Sequence, residues 1–563
     1  MFPGPELRAA EASARQSSGW LVGGWQYGPA ETSAPGWWGV FGPPERWQHE
    51  ELLQLAGVAC PWLGPLVPEW DEPRHAAKVA AVHSALQSGQ TYQVNLTFGL
   101  KGRAITAGEA PWSWRSALRL WLELLAPDGD PAAGQGAQGV FAWLGDGHPV
   151  VASLSPELFF ERSGDKVLAR PMKGTTPRSA QPELDQQARD HLASSPKERA
   201  ENLMITDMIR NDLGRVAAVG TTEVPALFAI EAYPTVWQMT STVTAHLPPQ
   251  TPVSTVLEAL APCASITGAP KLRTQQLIAE LETRSRGWYT GTLGWSGPEG
   301  AHFNVLIRTL LFADESQPEF RLDVGGGIVW DSEPSREYAE ALAKSRFLAP
   351  RQRSFDLVES LLWEPSAGFF LESLHRDRMQ RSCEALAEAF PARGWDSALA
   401  SVRSALDRLD PVTPQKVRLL LNPGSQFRFE YLPLDNQPDE LTWALSPGPL
   451  EEALLFRQHK TTARECYEKG AVPGVDQTLF WNARGELTES SSFNVVLQVD
   501  GELLTPALES GLLAGTFRQH LLARGIVREA ILPISALEQA GGVWFINSVR
   551  RWKKGKPPRP TLR

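Results

Sequence analysis

The stretch Ser155-Pro156-Glu157-Leu158-Phe159-Phe160-Glu161-Arg162-Ser163-Gly164-Asp165-Lys166-Val167-Leu168-Ala169-Arg170-Pro171-Met172-Lys173-Gly174-Thr175 decides how the first half of this chain is read. Leu158 to Arg162 reads as a strand, Ser163-Gly164-Asp165-Lys166 as a turn and Val167 to Arg170 as a second strand, which predicts a β-hairpin. With the turn centred near Gly164-Asp165, facing residues have numbers summing to about 330, which sets Glu157 opposite Lys173 at the open end. An acid beside an amine is the arrangement of a nucleophile with its general acid. The same spacing also describes a cross-strand ion pair, the commoner arrangement on a protein surface.

Outward from the hairpin, helical and β-rich patterns alternate from about residue 75 to 347, then stop at the polar segment Ala349-Pro350-Arg351-Gln352-Arg353. A strand reading resumes with Phe355, Leu357 and Leu361-Leu362. A helix follows, with Met379, Cys383, Leu386 and Phe390 on one face of a 3.6-residue period. We expect an α+β protein with a short N-terminal segment at 1–75 that carries no clear fold signal. A catalytic domain at 76–348, a linker at 349–354, a second domain at 355–550 and a basic tail at 551–563 complete the expectation. A chain of 563 residues is long enough for two cores. Pro131 to Gly139 reads as a surface loop, and the Pro-rich stretch Gly555 to Pro560 as a solvated end.

The composition, 42% hydrophobic and 21% charged, is that of a globular protein, and a net charge of −10 argues against a nucleic-acid partner. Cys60, Cys263, Cys383 and Cys466 form no CxxC pair, so neither a disulfide framework nor a zinc site is expected and a reducing cytoplasm fits. Met1 to Gly19 lacks an apolar core, and no run of about 18 apolar residues follows, which predicts neither export nor membrane insertion.

Ser155-Pro156-Glu157 and Pro171-Met172-Lys173-Gly174-Thr175 resemble signature segments of the chorismate-utilising enzymes. So do Thr91-Tyr92-Gln93-Val94-Asn95-Leu96, Arg199-Ala200-Glu201-Asn202-Leu203-Met204, Ile266-Thr267-Gly268-Ala269-Pro270-Lys271, Phe303-Asn304-Val305-Leu306-Ile307-Arg308-Thr309 and Gly325-Gly326-Gly327-Ile328-Val329, in the family's order. The resemblance implies antiparallel sheets flanked by helices and chorismate as substrate. Lys173 resembles the aminodeoxychorismate synthase component I branch, where anthranilate synthases carry Ala. By that resemblance Lys173 is the nucleophile that adds at C2 of the ring as the C4 hydroxyl leaves, and Glu157 the general acid. Ammonia then enters at C4. No glutaminase domain is read in the chain, so a separate glutamine amidotransferase is the implied ammonia source.

Glu201 falls on a helix predicted to start near Ser195-Pro196, with Leu203, Ile205, Met208 and Ile209 as its apolar face. Glu337 and Glu340 fall on a second helix after Pro334-Ser335. Carboxylates on separate helices suit a hydrated Mg²⁺, and the resemblance gives that role to Glu201 and Glu340, with Glu337 as auxiliary. Glu340 and Lys344, four apart, would equally make a surface pair. Chorismate is a dianion, so Arg308 is expected to fork one carboxylate, and the free N–H groups of the helix opened by Pro270-Lys271 behind Gly268 to receive the other. Gly326 and Gly327 lie in a run that means either a tight turn or bulge, or close backbone approach to a ligand. Gln238 stands where many relatives have His, so no imidazole acts there.

In the second domain Arg378 follows His375-Arg376-Asp377, Lys460 follows Phe456-Arg457-Gln458-His459, and Glu489 sits in Leu487-Thr488-Glu489-Ser490-Ser491-Ser492. A reactive lysine, an arginine for phosphate and a carboxylate for a pyridinium nitrogen are what pyridoxal phosphate asks of a protein. Gly511-Leu512-Leu513-Ala514-Gly515-Thr516, a loop entering a helix, would cradle the phosphate. Each charge alone reads as solvated. The order of these segments resembles the two-subdomain fold-type IV pyridoxal-phosphate enzymes over roughly 355 to 550, and leaves room for a homodimer through that domain. The resemblance gives Lys460 the cofactor bond and the proton shuttle, Glu489 the ring nitrogen, and Arg378, Gly515 and Thr516 the phosphate. Aminodeoxychorismate lyase and the branched-chain and D-amino acid aminotransferases share this scaffold. Linkage to an aminodeoxychorismate-forming unit favours the lyase, with an anthranilate-type synthase joined to an aminotransferase as the alternative.

Overall fold

The computed structural model describes the chain apart from residues 1–4, 18, 28–35, 59, 107–110, 127–137, 146, 180, 234, 235, 353, 354, 387, 389, 410, 424, 435–437, 451–456 and 557–563. Most of the loop expected from Pro131 to Gly139 therefore lies outside the described residues. The chain forms two compact units, the first of Met1–Ala104 with Pro111–Gln352 and the second principally of Arg353–Arg563.

The first unit is built on two sheets. Along Gln93–Ile105, Val94, Leu96, Phe98 and Leu100 enter the core at 1% exposure or less, while Gln93, Asn95 and Thr97 are buried on the opposite face. That period of two places an apolar and a polar set on opposite sides of one strand. The strand runs beside Gly268–Ala269 and Glu319–Ile328 in one sheet, which continues through Thr309–Phe312 and Val150–Ser153 to Val140–Trp143. The other sheet orders Met172–Pro177, Val236–His246, Lys166–Ala169, Leu158–Ser163, Gly300–Val305, Gly287–Gly297, Trp20–Tyr27 and Trp37–Phe41. Phe160 and Phe303 stack at 5.1 Å in the core that both sheets share.

Two expectations are corrected here. The N-terminal segment is an integral part of the first unit, because Trp20–Tyr27 pairs with both Gly287–Gly297 and Trp37–Phe41 and buries Leu21. The hairpin forms about Gly164-Asp165, but Glu161 faces Leu168 and Ser163 faces Lys166, one residue from the expected register. Its ladder ends at the Glu161–Leu168 pair, and beyond it Pro171, which has no N–H to donate, accepts at its carbonyl from Ser241 N–H at 3.1 Å. Val236–His246 then lies between Lys166–Ala169 and Met172–Pro177, so Glu157 and Lys173 are not cross-strand partners.

In the second unit, Gly368–Phe369, Leu357–Glu364, Gln415–Leu421 and Phe427–Pro433 form a four-stranded sheet. The helix Glu372–Ala385 buries His375, Arg378, Met379, Ser382 and Cys383, one face at helical spacing. Phe390 lies beyond its end, against Trp395. In the larger sheet Leu487–Ser490 pairs with both Gln477–Trp481 and Asn494–Val499, which closes the run through Glu440–Leu445, Arg551–Lys556 and Gly542–Asn547 into a ring, from which Glu502–Pro506 and Arg528–Ala530 extend beside Asn494–Val499. The basic tail is thus corrected in its first part. Arg551–Lys556 is a strand of the ring, and its lysines are neutralised by Asp439 and Glu440 at 3.2 to 3.6 Å. Among the described residues no helix is long and apolar enough to cross a membrane.

Candidate active sites

In the first unit, Glu157 sits just before the strand Leu158–Ser163, 4% exposed. Burial pushes its carboxyl up to about 7, against the opposing pull of a 2.6 Å hydrogen bond donated by Ser265 Oγ and of the nearby Lys173 charge. Ser265 belongs to the turn Ala264–Ile266, which is pinned from behind by Arg286: its guanidinium donates to Ile266 O at 2.9 Å, to Asn95 O at 2.6 Å and to both oxygens of Glu282.

Lys173 lies where the pairing of Met172–Pro177 with Val236–His246 shifts by one residue, a β-bulge with Gly174 at φ +95°. A bulge re-aims the side chain it carries, and that φ is the region glycine tolerates. The aim can be located from a neighbour, because a Cβ added at Gly327 would lie 3.1 Å from Lys173 Nζ and 2.5 Å from Gln93 Nε2. One added at Gly326 would meet Glu337 Oε2 at 3.3 Å, Lys344 Nζ at 3.6 Å and Glu340 Oε1 at 3.9 Å. Lys173, Gly326, Gly327, Glu337 and Glu340 therefore gather around one stretch of Glu319–Ile328. That strand runs in continuous register with Gln93–Ile105, which removes the turn or bulge reading of its glycines.

Glu201 is carried by the helix Pro196–Gly214, which starts where Ser195 Oγ accepts from Glu198 N–H at 3.4 Å. Leu203 is exposed, while Asn202, Ile205, Thr206 and Ile209 form the buried face. Sequence reasoning passed over Glu198. Its carboxylate would touch a Cβ on Gly174 at 3.1 Å, and burial with the charges of Glu201 and Glu340 raises its pKa. Burial likewise raises Glu337, with Glu340 adding to the effect and a 2.7 Å bond from Ser332 Oγ opposing it. Mutually repelling carboxylates without other donor types fit a hard divalent cation. Among the described residues no group of three or more His, Cys, Asp or Glu side chains converges to hold a metal ion. Glu340 also pairs with Lys344 at 3.1 Å, so the surface-pair geometry and the cluster coexist.

Arg308 has φ +49° and no ion-pair partner among the described residues, and burial lowers its pKa against the pull of Tyr233. An unpaired, half-buried guanidinium is suited to an incoming carboxylate. Gly268 lies with φ +130° against the carbonyl of Gln93, where a Cβ would stand 2.1 Å from that oxygen. Lys271 turns its ammonium to Asp212 and to Leu260 O, leaving only the helix start Lys271–Glu282 to face a ligand. Gln238 accepts from Thr175 Oγ and donates to Gly174 O, both at 2.8 Å, and so braces the bulge. Gln93, fully buried with neither end of its carboxamide bonded among the described residues, was quoted within a motif but not singled out.

In the second unit one cavity is lined by Arg378, Lys460, Glu489, Gly515 and Thr516, which brings together all five residues expected there. Burial, then the Arg378 charge, pull Lys460 down to about 7. Burial pushes Glu489 up to about 7, while Tyr467 Oη at 2.8 Å and Leu513 N–H at 3.1 Å donate to its Oε1 and oppose the rise. Arg378 is gripped by Glu359 at 2.8 and 2.6 Å, and the same carboxylate holds His375 Nδ1 at 2.5 Å. Thr516 begins the helix Thr516–Ala523 and contacts His375 Nε2 at 3.2 Å. A lysine able to be neutral, a buried carboxylate, an arginine fixed from behind and a helix start facing one cavity fit pyridoxal phosphate in donor chemistry. Glu359 and Tyr467 escaped the sequence reading because single charged or aromatic residues in a strand or short helix carry no spacing signal.

Comparison with known proteins agrees in both units. Residues 60–350 match the chorismate binding enzyme family and residues 356–554 the class IV amino-transferases. Aminodeoxychorismate synthase component 1 of Klebsiella aerogenes is 40% identical over 272 residues, 48% of this chain and 56% of that protein. Anthranilate synthase component 1 1 of Haloarcula marismortui is 41% identical over 199 residues, 35% of this chain and 40% of that protein. The chain thus spans about half the length, or less, of these curated relatives. A 2,3-dihydroxybenzoate-specific isochorismate synthase of Bacillus anthracis shares the fold, with a TM-score of 0.50 and 21% identity over 62% of this chain and 88% of that one.

Proposed function

The chain belongs to the chorismate binding enzymes through residues 60–350, and from that membership we propose that its first unit converts chorismate and ammonia to 4-amino-4-deoxychorismate while its second removes pyruvate to leave p-aminobenzoate. The observation that carries the reading is Lys173 at a bulge beside Gly327, within the electrostatic reach of a buried Glu157 whose carboxyl is raised to about 7. Lys173 Nζ, as the free amine, bonds C2 of the ring as the C4–O bond breaks, and the hydroxyl leaves as water with the proton from Glu157. Ammonia then bonds C4, the C2–N bond breaks, and the proton shed by the new amine restores Glu157. Arg308 and the backbone at Gly268 and Lys271 receive the substrate carboxylates. Glu201, Glu340, Glu337 and Glu198 would hold Mg²⁺, which supplies charge for a substrate carboxylate when bound. A separate glutamine amidotransferase supplies the ammonia, and the reactions belong to the cytoplasm.

In the second unit, Arg378 with the Gly515-Thr516 helix start holds a phosphate, and Glu489 holds a ring nitrogen. Pyridoxal phosphate, when bound, supplies the electron sink for breaking bonds at the amine-bearing carbon. Lys460 takes the proton from that carbon as pyruvate leaves and the ring becomes aromatic. The test is incubation of the pure chain with chorismate, Mg²⁺, ammonium and pyridoxal phosphate, with products identified by mass and fluorescence. p-Aminobenzoate with pyruvate supports the reading. Anthranilate would instead establish the alternative that the Haloarcula relative favours, and absence of any product would refute both.

A further inference from the structure

We infer that Tyr467 is a positioning residue of the second cavity, fixing Glu489 so that its Oε2, and not Oε1, meets the ring nitrogen of the cofactor. The inference rests on the pyridoxal phosphate reading above. Glu489 lies in the strand Leu487–Ser490, 4% exposed, and its Oε1 accepts twice, from Tyr467 Oη at 2.8 Å and from Leu513 N–H at 3.1 Å. A carboxylate with both donors on one oxygen cannot rotate without breaking both bonds, so any proton it carries or shares is directed to the other oxygen.

Tyr467 is itself held firmly. It is 5% exposed in the short helix Glu465–Lys469, packs edge-on against Phe480 at 5.4 Å, and carries the Arg464 guanidinium over its ring at 4.5 Å. Burial and the neighbouring Glu489 carboxylate hold the phenol well above its usual range, so it remains a donor throughout the working pH. The neighbouring groups divide. Arg464 and Arg457 both favour the ionised Glu489, Arg464 opposes the rise at the phenol while Cys466 adds to it, and Lys460 lines the same cavity. Removing the phenol proton leaves Glu489 one donor short in a buried place. The shared proton then moves from the ring nitrogen toward the carboxylate, which gains a proton as the ring nitrogen loses one.

The experiment loads the full chain with pyridoxal phosphate labelled with ¹⁵N in the ring, whose chemical shift reports protonation of that nitrogen directly. The native chain is expected to show the protonated value. Tyr467→Phe should move the signal toward the free-pyridine value, by about tenfold in the proton-sharing ratio, the size of one hydrogen bond to a charged group. Site-specific replacement of Tyr467 by 3-fluorotyrosine, a stronger donor of the same shape, should displace the pH midpoint of the signal in the opposite direction, and it decides the matter alone if Tyr467→Phe does not fold. A ring-nitrogen signal that neither replacement moves, or that both move in the same direction, overturns the inference while the label remains bound. A native chain that retains no labelled cofactor overturns the cofactor reading and this inference with it.

Discussion

In the first unit burial shifts an acid, Glu157, toward neutrality, raising it to about 7; in the second it shifts an amine, Lys460, lowering it to about 7. The physics is shared, since loss of water disfavours whichever form is charged. An acid thereby keeps its proton and an amine gives one up at the same pH. The surroundings differ in sign. Lys173 and Ser265 pull Glu157 back toward ionisation, whereas Arg378 pushes Lys460 further from it. The arginines differ as well: Arg378 is paired with Glu359 behind it, as suits a permanent phosphate, while Arg308 has no ion-pair partner among the described residues, as suits a substrate that comes and goes.

The largest effects should come from removing each amine. Lys173→Ala should lower aminodeoxychorismate formation by at least about a thousandfold, and Lys460→Ala should stop the chain at that product with a similar loss. Chromatography of the products separates the two, and native rates in either variant would break the comparison. Next, Glu157→Gln should cost about a hundredfold and flatten the pH profile. The native-to-Gln rate ratio should fall as pH rises through about 7, because the protonated acid is the active form and is lost there, while the free amine and free ammonia are common to both proteins. A ratio that stays level would assign the pH dependence to another group. Glu201→Gln or Glu340→Gln should raise the Mg²⁺ needed for half-maximal rate by about tenfold, read by titrating the metal. Unchanged Mg²⁺ curves in both would remove these ligands from the site. The smallest effect is on cofactor capture. Its rate, followed by absorbance on mixing, should rise with pH to a plateau above about 7, where Lys460 is neutral, and fall by about tenfold per unit below. A flat profile would mean that Lys460 is not the capturing amine.

How far the sequence could be read depended on whether a feature was local. Helix starts at Pro196, Pro334 and Lys271 followed from Ser-Pro, Pro-Ser and Ala-Pro punctuation, and the helix bearing Arg378 followed from its apolar spacing. Glu198 was within reach, three residues before Glu201 on the same helix face, but competed with ordinary surface glutamates. The strand at Arg551–Lys556 was not, because lysines beside prolines read as solvated until Asp439 and Glu440 stand opposite them.

The sequence by itself determined the α+β class and the pairing of a chorismate-binding part with a class IV amino-transferase part, since motif order, period and turn chemistry are properties of neighbouring residues. Only the tertiary structure decided how Glu157 and Lys173 are related. The hairpin register failed to predict it, because Val236–His246, some sixty residues away in the chain, enters between Lys166–Ala169 and Met172–Pro177, the strand that carries Lys173. It also decided the titration of the groups that matter, because desolvation depends on what packs around a side chain and not on what precedes it. Ser265 reaches Glu157 across 108 positions of sequence and Thr516 reaches His375 across 141, distances over which a linear pattern carries no constraint.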